Sequence, residues 1–183
     1  MKIEETGIAG AFVVETTPFS DHRGAFARLY CAREMEPAMG GRRVVQVNHS
    51  LTSAVGAVRG MHYQHAPHAE MKVVRCLKGR VFDVAVDLRR GSPTFLRWVS
   101  CELTPASGRA FVIPEGCAHG FQVLEPGSEL LYLHSAYYEK GAEGAVRFDD
   151  PRVGITWPLP PADLSERDRS HPLLTRDFAG IET

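Results

Sequence analysis

The sequence predicts an all-β fold, either a sandwich or a jelly roll, in which two sheets enclose one core. Short apolar runs rich in Val, Phe and Leu recur along the 183 residues, separated by Gly, Pro, Asn and Asp. No stretch sustains a helical period for long, and many short strands at close spacing are typical of two-sheet architectures. A chain of this length fits one domain, residues 1–183, with a sizeable core.

Seven segments are predicted as strands: Val44–Val47, Lys72–Leu77, Arg80–Leu88, Phe95–Leu103, Arg109–Ile113, Ala118–Leu124 and Glu129–Ser135. In the third segment, apolar side chains at the even positions alternate with Asp83 and Asp87, as expected of a strand with two different faces. The pair Lys78 and Gly79, between two of these segments, predicts a tight hairpin.

Helix is expected in only two places. One is Cys31 to Met39, and the other is the C-terminal stretch from Leu164, where Asp163 or Ser165 can act as the N-cap. No internal repeat, low-complexity segment or linker divides the chain, so the helices are expected to flank a single β domain.

Composition excludes several classes of partner. Lys and Arg together number 21 against 22 Asp and Glu, so there is no basic footprint for nucleic acid or an anionic membrane. No apolar window reaches the length of a membrane span. The four cysteines form no C-x-x-C pair, which favours buried, reduced thiols. We therefore expect a cytoplasmic protein without nucleic-acid or membrane partners.

The densest group of reactive side chains lies between Arg59 and Lys72. His62, His65 and His68 follow one another at intervals of three, which raises the question of a metal. A metal-binding cupin supplies His-x-His, a Glu about four residues later and a Gly about seven after the Glu. Counted back from Gly79, the Glu position falls on Lys72.

An ammonium in that position would repel a divalent cation, so we predict no metal. The same ammonium is suited to stabilising negative charge that develops on an oxygen, although an isolated lysine is more often a surface residue. A metal-dependent cupin, an oxygenase or isomerase using His62, His65, His68 and His119, remains the alternative at this point.

An ordered set of motifs favours a functional role for Lys72 over its interpretation as a surface residue. The set comprises Gln46–Ser50, Val58–Gln64, Val81–Arg89, Gly91–Phe95, Ile113–Phe121, Tyr137-Tyr138, Asp149–Pro151, Ile155–Pro158 and Leu164–Asp168. It resembles the dTDP-4-dehydrorhamnose 3,5-epimerase family in order, from about Phe19 to Leu174. Each motif alone is a weak signal, but the ordered set is highly specific.

The resemblance implies a cupin-like jelly roll, a double-stranded β-helix with short flanking helices. It also implies no metal or other cofactor, a homodimer, and a role in deoxysugar synthesis such as the route to L-rhamnose. The implied activity is inversion of carbon 3, carbon 5 or both in a nucleotide-linked 4-keto-6-deoxyhexose. Its catalytic residues map onto His62 as base, Asp168 as the aspartate that holds it, Tyr132 as acid and Lys72 facing the keto oxygen.

The chemistry requires such residues. A proton beside a ketone can be removed because the charge moves onto the carbonyl oxygen, and an imidazole with a pKa near ~6.5 can accept that proton. Inversion needs a second acid on the opposite face of the ring. On the predicted strand Glu129–Ser135, Tyr132 points to the same side as Leu130 and His134, and it would project into the barrel if the Leu131 face packs on a second layer.

The family's substrate contacts also map onto this chain. The resemblance assigns the diphosphate to Arg23 and Arg59, stacking of the base to Phe19 and Tyr138, and other contacts to Gln46, Asn48, His119 and Glu143. His65, His68, His134 and His171 are interpreted as surface or supporting residues, and His134 stands where many relatives carry lysine.

Two residues differ from the family pattern at positions that the resemblance assigns to nucleotide binding. Arg28 replaces a glutamate that in the family contacts the base from a neighbouring subunit, and Val47 replaces an aspartate. Arginine offers only donors, so a CDP- or GDP-linked sugar is an alternative to a dTDP-linked one. A mono-epimerase acting at carbon 3 or carbon 5 alone is a further alternative. A catalytically silent sugar-binding module is disfavoured, since it need not retain base, acid and lysine together.

Overall fold

The computed structural model describes residues 1–183 as a barrel of two antiparallel sheets. Strands β1 to β13 are Lys2–Glu5, Phe12–Glu15, Phe19–Asp21, Gly24–Phe26, Gln46–Thr52, Val58–Gln64, Lys72–Lys78, Val81–Asp87, Trp98–Leu103, Arg109–Ile113, Cys117–Val123, Ser128–His134 and Glu143–Ala145. Helices α1 and α2 are Ala32–Met39 and Glu166–Ser170, and Lys140–Ala142 forms a 3-10 turn.

The six-stranded sheet has the order β1-β2-β10-β7-β12-β5, and the five-stranded sheet has the order β13-β6-β11-β8-β9. Strands β3 and β4 form a separate hairpin. The predicted all-β jelly roll is confirmed. Consecutive strands often lie in opposite sheets, so residues near one another in sequence face each other across the barrel.

The predicted hairpin at Lys78-Gly79 is wrong. Strand β7 pairs with β10 and β12, whereas β8 pairs with β11 and β9 in the other sheet. Gly79 has φ +76, and a Cβ there would lie 2.4 Å from Oγ of Ser128. The position requires glycine, but the local turn signal does not specify which sheet the next strand joins.

Other sequence predictions differ from the structure mainly in their bounds. The predicted strand Val44–Val47 overlaps only the start of β5, and the segment predicted from Phe95 becomes a strand only at Trp98. Turns occupy residues 93–96, where Leu96 has φ +60. Strands β1 to β4, β6 and β13 were not predicted, because they are short or, like β6, rich in polar residues and glycine.

Three layers of apolar side chains hold the sheets in place. Between the sheets lie residues from both, including Val74, Phe111, Leu130, Val81 and Phe121. Helix α1 covers the outer face of the six-stranded sheet with Met35, Ala38 and Met39, and the C-terminal segment covers the outer face of the five-stranded sheet with Val153, Trp157 and Ile181. Both sheets are therefore covered on two sides, and the open end of the barrel is left for a ligand.

Both expected helices are present. Helix α1 ends at Gly40, whose φ of +56 is the left-handed conformation typical of a helix C-terminus. Of the two predicted N-caps for α2, Ser165 is the actual one, since its Oγ accepts a hydrogen bond from the backbone N–H of Asp168 at 3.0 Å. None of the helices has the length and apolar character that a membrane crossing would require.

Candidate active site

A cleft of about 1050 Å³ opens at one end of the barrel, between the two sheets. Its volume is at the upper end of the range common for small-molecule sites. Nine of the residues assigned from the sequence line it: His62, Lys72, Tyr132, Asp168, Asn48, Arg59, His119, Tyr138 and Glu143. Strands β6 and β11 supply His62 and His119 from the five-stranded sheet, and β5, β7 and β12 supply the opposite wall.

His62 forms a short hydrogen bond with Asp168. Nε2 of His62 lies 2.6 Å from Oδ1 of Asp168, which is buried at the start of α2 and fixed there by the Ser165 cap. Burial alone would raise the pKa of Asp168, but the His62 contacts outweigh it and the pKa lies below its ordinary value. With Nε2–H donated to the carboxylate, Nδ1 carries the lone pair that can accept a proton.

Lys72 is buried beside this histidine. Its Nζ lies 3.3 Å from the backbone oxygen of His62 and 3.0 Å from Oε1 of Glu70. The side chain is only 9% exposed, so the ammonium group is held in the wall of the cleft and is not a solvated surface charge. Lys72 and His62 therefore line the same cleft.

Tyr132 stands on β12, in the sheet opposite His62. Its hydroxyl lies 3.1 Å from Oγ of Ser50, and its ring meets that of His119 edge to face at 6.0 Å. Leu131 and Leu133, on the other face of β12, pack in the layer under α1, as the strand alternation predicted. Burial raises the pKa of Tyr132, so its hydroxyl stays protonated at neutral pH and can serve as an acid.

His119 is fixed by a fully buried carboxylate. Its Nε2 lies 2.9 and 3.0 Å from the two oxygens of Asp83 on β8. Burial raises the pKa of Asp83 despite the opposing influence of His119 and Lys72. His119 also pairs with His62 in the register of β11 and β6, so the two imidazoles come from adjacent strands.

Cations and amides line the rest of the cleft. Arg59 is exposed and its guanidinium makes no hydrogen bond or ion pair, which leaves it free for an anion. Glu143, in contrast, forms an ion pair, with its Oε1 2.9 Å from Nη2 of Arg167. Gln46, just outside the cleft lining, accepts a hydrogen bond from the backbone N–H of Tyr138 at 3.1 Å.

Three predicted substrate contacts do not reach the cleft of their own chain. Phe19 and Arg23 lie on the β3–β4 hairpin, and Arg28 follows it. Every residue from 17 to 29 is exposed, and Phe19 and Phe26 are 78% and 72% exposed. Arg23 pairs with Asp21 on the hairpin, and Arg28 pairs with Glu34 on α1. Within one chain, these residues are not part of the site.

The histidines of the metal alternative do not converge. His65 and His68 are exposed, and His119 is committed to Asp83. The one group of three side chains whose ligand atoms lie within 4.8 Å of one another is His62, Asp168 and His171. That group is the hydrogen-bonded pair of His62 and Asp168 with a neighbouring imidazole, and the ring centroids of His62 and His171 lie 6.5 Å apart.

Sequence reasoning missed three residues that support the site, and it assigned no contact to His134, which it interpreted as a surface or supporting residue. Asp83 holds His119, Ser50 contacts Tyr132, and Glu70 links Lys72 to His134. For Asp83 a signal existed, since a carboxylate alternates there with apolar residues in a strand that is buried on both faces. For Ser50, Glu70 and His134 the signal is the register of β5, β7 and β12, which only the fold supplies.

Comparison with known proteins gives one consistent family. The model of the dTDP-4-dehydrorhamnose 3,5-epimerase family matches residues 5–176. The dTDP-4-dehydrorhamnose 3,5-epimerase of Salmonella typhimurium is 42% identical over 179 residues, which cover 95% of this chain and 96% of the relative. That of Pseudomonas aeruginosa is 44% identical over 171 residues, covering 92% and 93%.

Solved structures agree with the sequences. An epimerase from Legionella pneumophila in complex with dTDP-4-keto-L-rhamnose superposes with a TM-score of 0.91 at 36% identity, covering 100% of this chain and 98% of the other. A 3'-monoepimerase from Streptomyces bikiniensis in complex with dTDP-quinovose gives a TM-score of 0.86 at 34% identity, covering 93% and 86%.

Proposed function

The chain belongs to the dTDP-4-dehydrorhamnose 3,5-epimerase family and is an isomerase, and on that basis we propose that it epimerises a dTDP-linked 4-keto-6-deoxyhexose through an enolate. The observation that carries the proposal is the meeting of three groups in one cleft. His62 comes from one sheet, and Lys72 and Tyr132 come from the other. A base, an oxyanion donor and an acid are the groups that the reaction requires.

The first step is removal of the proton on a carbon next to the ketone. Nδ1 of His62 takes the proton, and the electron pair of the broken C–H bond moves onto the keto oxygen. Asp168 orients the imidazole and stabilises the imidazolium that forms. Lys72 donates a hydrogen bond to the enolate oxygen in a largely buried setting, where such a charge is stabilised more than in water.

The second step returns a proton from the opposite face. Tyr132 stands on the sheet across the cleft from His62, so the sugar ring would lie between the two groups. Its raised pKa keeps the hydroxyl protonated until the enolate accepts the proton. Solvent then reprotonates the phenolate and takes the proton from the imidazolium, which restores both groups.

The nucleotide is held by residues further out. Arg59, which has no partner in the structure, can bind a diphosphate oxygen pair through its planar guanidinium. Tyr138 is 53% exposed at the rim, where it can stack on the base. Asn48 and Glu143 line the same cleft, and Gln46 supports Tyr138.

We propose that a second copy of the chain completes the site. The β3–β4 hairpin carries two largely exposed phenylalanines and Arg23, and its strands pair only with each other. Isolated two-stranded hairpins are marginally stable in water, which favours a docked state. In a homodimer, each hairpin would bring Phe19 and Arg23 to the nucleotide end of its partner's cleft, with Arg28 nearby. This arrangement accounts for their distance from the site of their own chain.

The reaction is tested with dTDP-4-keto-6-deoxyglucose in deuterated water. Deuterium should enter at carbon 3, carbon 5 or both, and its position separates a double epimerase from a mono-epimerase. CDP- and GDP-linked analogues should turn over more slowly than the dTDP sugar. The proposal fails if no deuterium enters the ring while the sugar nucleotide is shown to bind.

A further inference from the structure

A chain of hydrogen bonds crosses the inner wall of the cleft. The proposed proton transfers do not involve all of its residues. Nε2 of Gln46 donates to Oδ1 of Asn48 at 3.3 Å, and Nδ2 of Asn48 lies 3.3 Å from Nε2 of His134. Nδ1 of His134 lies 2.7 Å from Oε2 of Glu70, whose Oε1 lies 3.0 Å from Nζ of Lys72. The chain thus joins the nucleotide end of the cleft to the keto-oxygen lysine.

The carboxyl group of Glu70 is ionised within this chain of hydrogen bonds. Burial alone would raise the pKa of its carboxyl, but the hydrogen bond from His134 and the charge of Lys72 outweigh burial and place the pKa below its ordinary value. Glu70, Lys72 and His134 each have side chains that are 9% exposed or less. The carboxylate is therefore a buried anion with one oxygen committed to each neighbour.

The geometry also fixes the donors of Lys72. An ammonium group has three N–H donors. One reaches Glu70 and one reaches the backbone oxygen of His62, so one remains for a ligand. If Glu70 lost its contact with His134, its second oxygen would be free to turn onto Lys72 and take up that remaining donor.

We propose that Glu70 and His134 are positioning residues, which hold the ammonium of Lys72 so that one donor stays free for the substrate keto oxygen. This inference rests on the proposed role of Lys72. The same hydrogen bonds assign the tautomer of His134: Nδ1–H donates to Glu70, and Nε2 accepts from Asn48. In this tautomer the imidazole satisfies both of its neighbours.

Two variants separate the two contacts of His134. Asparagine can place its amide nitrogen where Nδ1 lies and keep the donor to Glu70, whereas glutamine reaches toward Asn48 and loses that donor. Both remove the ring stacked on Tyr132 at 6.1 Å, so a difference between them reports on the hydrogen bond to Glu70. The same pair of changes at exposed His68, which uses only its own backbone atoms in its hydrogen bonds with His65 and Gln64, is the matched control.

We expect His134→Asn to keep kcat within about threefold of wild type and His134→Gln to lower it by about 10- to 100-fold, since small misplacements of a catalytic group have effects of this size. KM should change less than kcat in either variant, because the hydrogen bond from Lys72 becomes stronger as the keto oxygen takes on the charge of the enolate. Both His68 variants should match wild type. Equal losses in the two His134 variants, or full activity in His134→Gln, would overturn the inference.

Lys72→Met separates this inference from the proposed reaction. If Lys72→Met is inactive while His134→Gln is fully active, the positioning role fails and the reaction stands. If Lys72→Met turns over normally, the role of Lys72 fails and the inference fails with it. Thermal melts of all variants within a few degrees of wild type are required, so that a folding defect is not read as a loss of positioning.

Discussion

Nζ of Lys72 lies 3.3 Å from the backbone oxygen of His62, and this contact joins strands of opposite sheets. It ties the proposed oxyanion donor directly to the strand that carries the proposed base. Relative motion of the two sheets at the cleft would break the contact, so its presence fixes the spacing between the atom that loses a proton and the oxygen that receives the charge.

Replacing the lysine should affect chemistry more than binding. Lys72→Met keeps the length of the side chain and removes the donor, and we expect kcat to fall by about 10²- to 10³-fold, the usual cost of losing one oxyanion-hole donor. Steady-state kinetics with the dTDP sugar measures it. Lys78→Met, at the exposed end of the same strand, is the control and should keep wild-type kcat. A fall in affinity with unchanged kcat would contradict the assignment.

Tyr132→Phe should uncouple the two proton transfers. Abstraction needs only His62 and Lys72, so exchange of the carbon 3 proton with deuterated solvent should continue. Epimerised product should fall by about 10²- to 10⁴-fold, the range for losing a general acid. Proton NMR of the substrate and chromatography of the product give the two rates. Loss of both rates to the same extent would show that Tyr132 also acts in abstraction.

Mixed dimers test the shared site. Arg23→Ala and His62→Ala should each be inactive alone if the hairpin serves the partner's cleft. When the two are co-expressed, random pairing makes half of the dimers mixed, each with one intact site, so about a quarter of wild-type activity should return. Sedimentation analysis should give a dimer throughout. A mixture that stays inactive would place the hairpin of each chain in its own site.

Acid stability should depend on Asp87, which is fully buried at the end of β8. Burial alone would raise its pKa, but hydrogen bonds from Arg89, Ser92 and Thr94 outweigh burial and lower the pKa to about 2. A depressed folded-state pKa contributes stability that is complete above the unfolded value near ~3.9 and is lost as pH falls toward about 2.

Asp87→Asn should therefore lower the free energy of unfolding at pH 7 by about 2 kcal/mol, and the difference should shrink below pH ~4. Urea unfolding at several pH values measures it. A difference that stays constant down to pH ~2.5 would contradict the assignment of this stability to the ionised carboxylate.

The family resemblance was sufficient to select His62, Asp168, Tyr132 and Lys72 from the sequence, and the structure places all four in one cleft. Their catalytic roles stay predictions. Strand alternation also predicted the inward face of Tyr132 correctly, since Leu131 and Leu133 pack under α1. The hairpin at Gly79 was wrong for a physical reason. A positive φ is compatible with a tight hairpin and equally with a crossing between sheets, and long-range pairing decides between them.

Residues that act through others were harder to find. Glu70 and His134 are 64 positions apart in sequence, and only the pairing of β7 with β12 brings them together. The placement of Phe19 and Arg23 outside their own cleft was likewise not visible in motif spacing, since a motif records which residues contact a ligand but not from which subunit.

Exchange at carbon 3 in the His62→Ala variant is the most direct test of the account. The dTDP-4-keto sugar is incubated with this variant in deuterated water, with binding verified by calorimetry and exchange followed by proton NMR. The account predicts unchanged nucleotide affinity and a loss of exchange of at least about 10²-fold, since the general base is gone. Exchange at the wild-type rate would show that another group removes the proton, and the central role of His62 would be wrong.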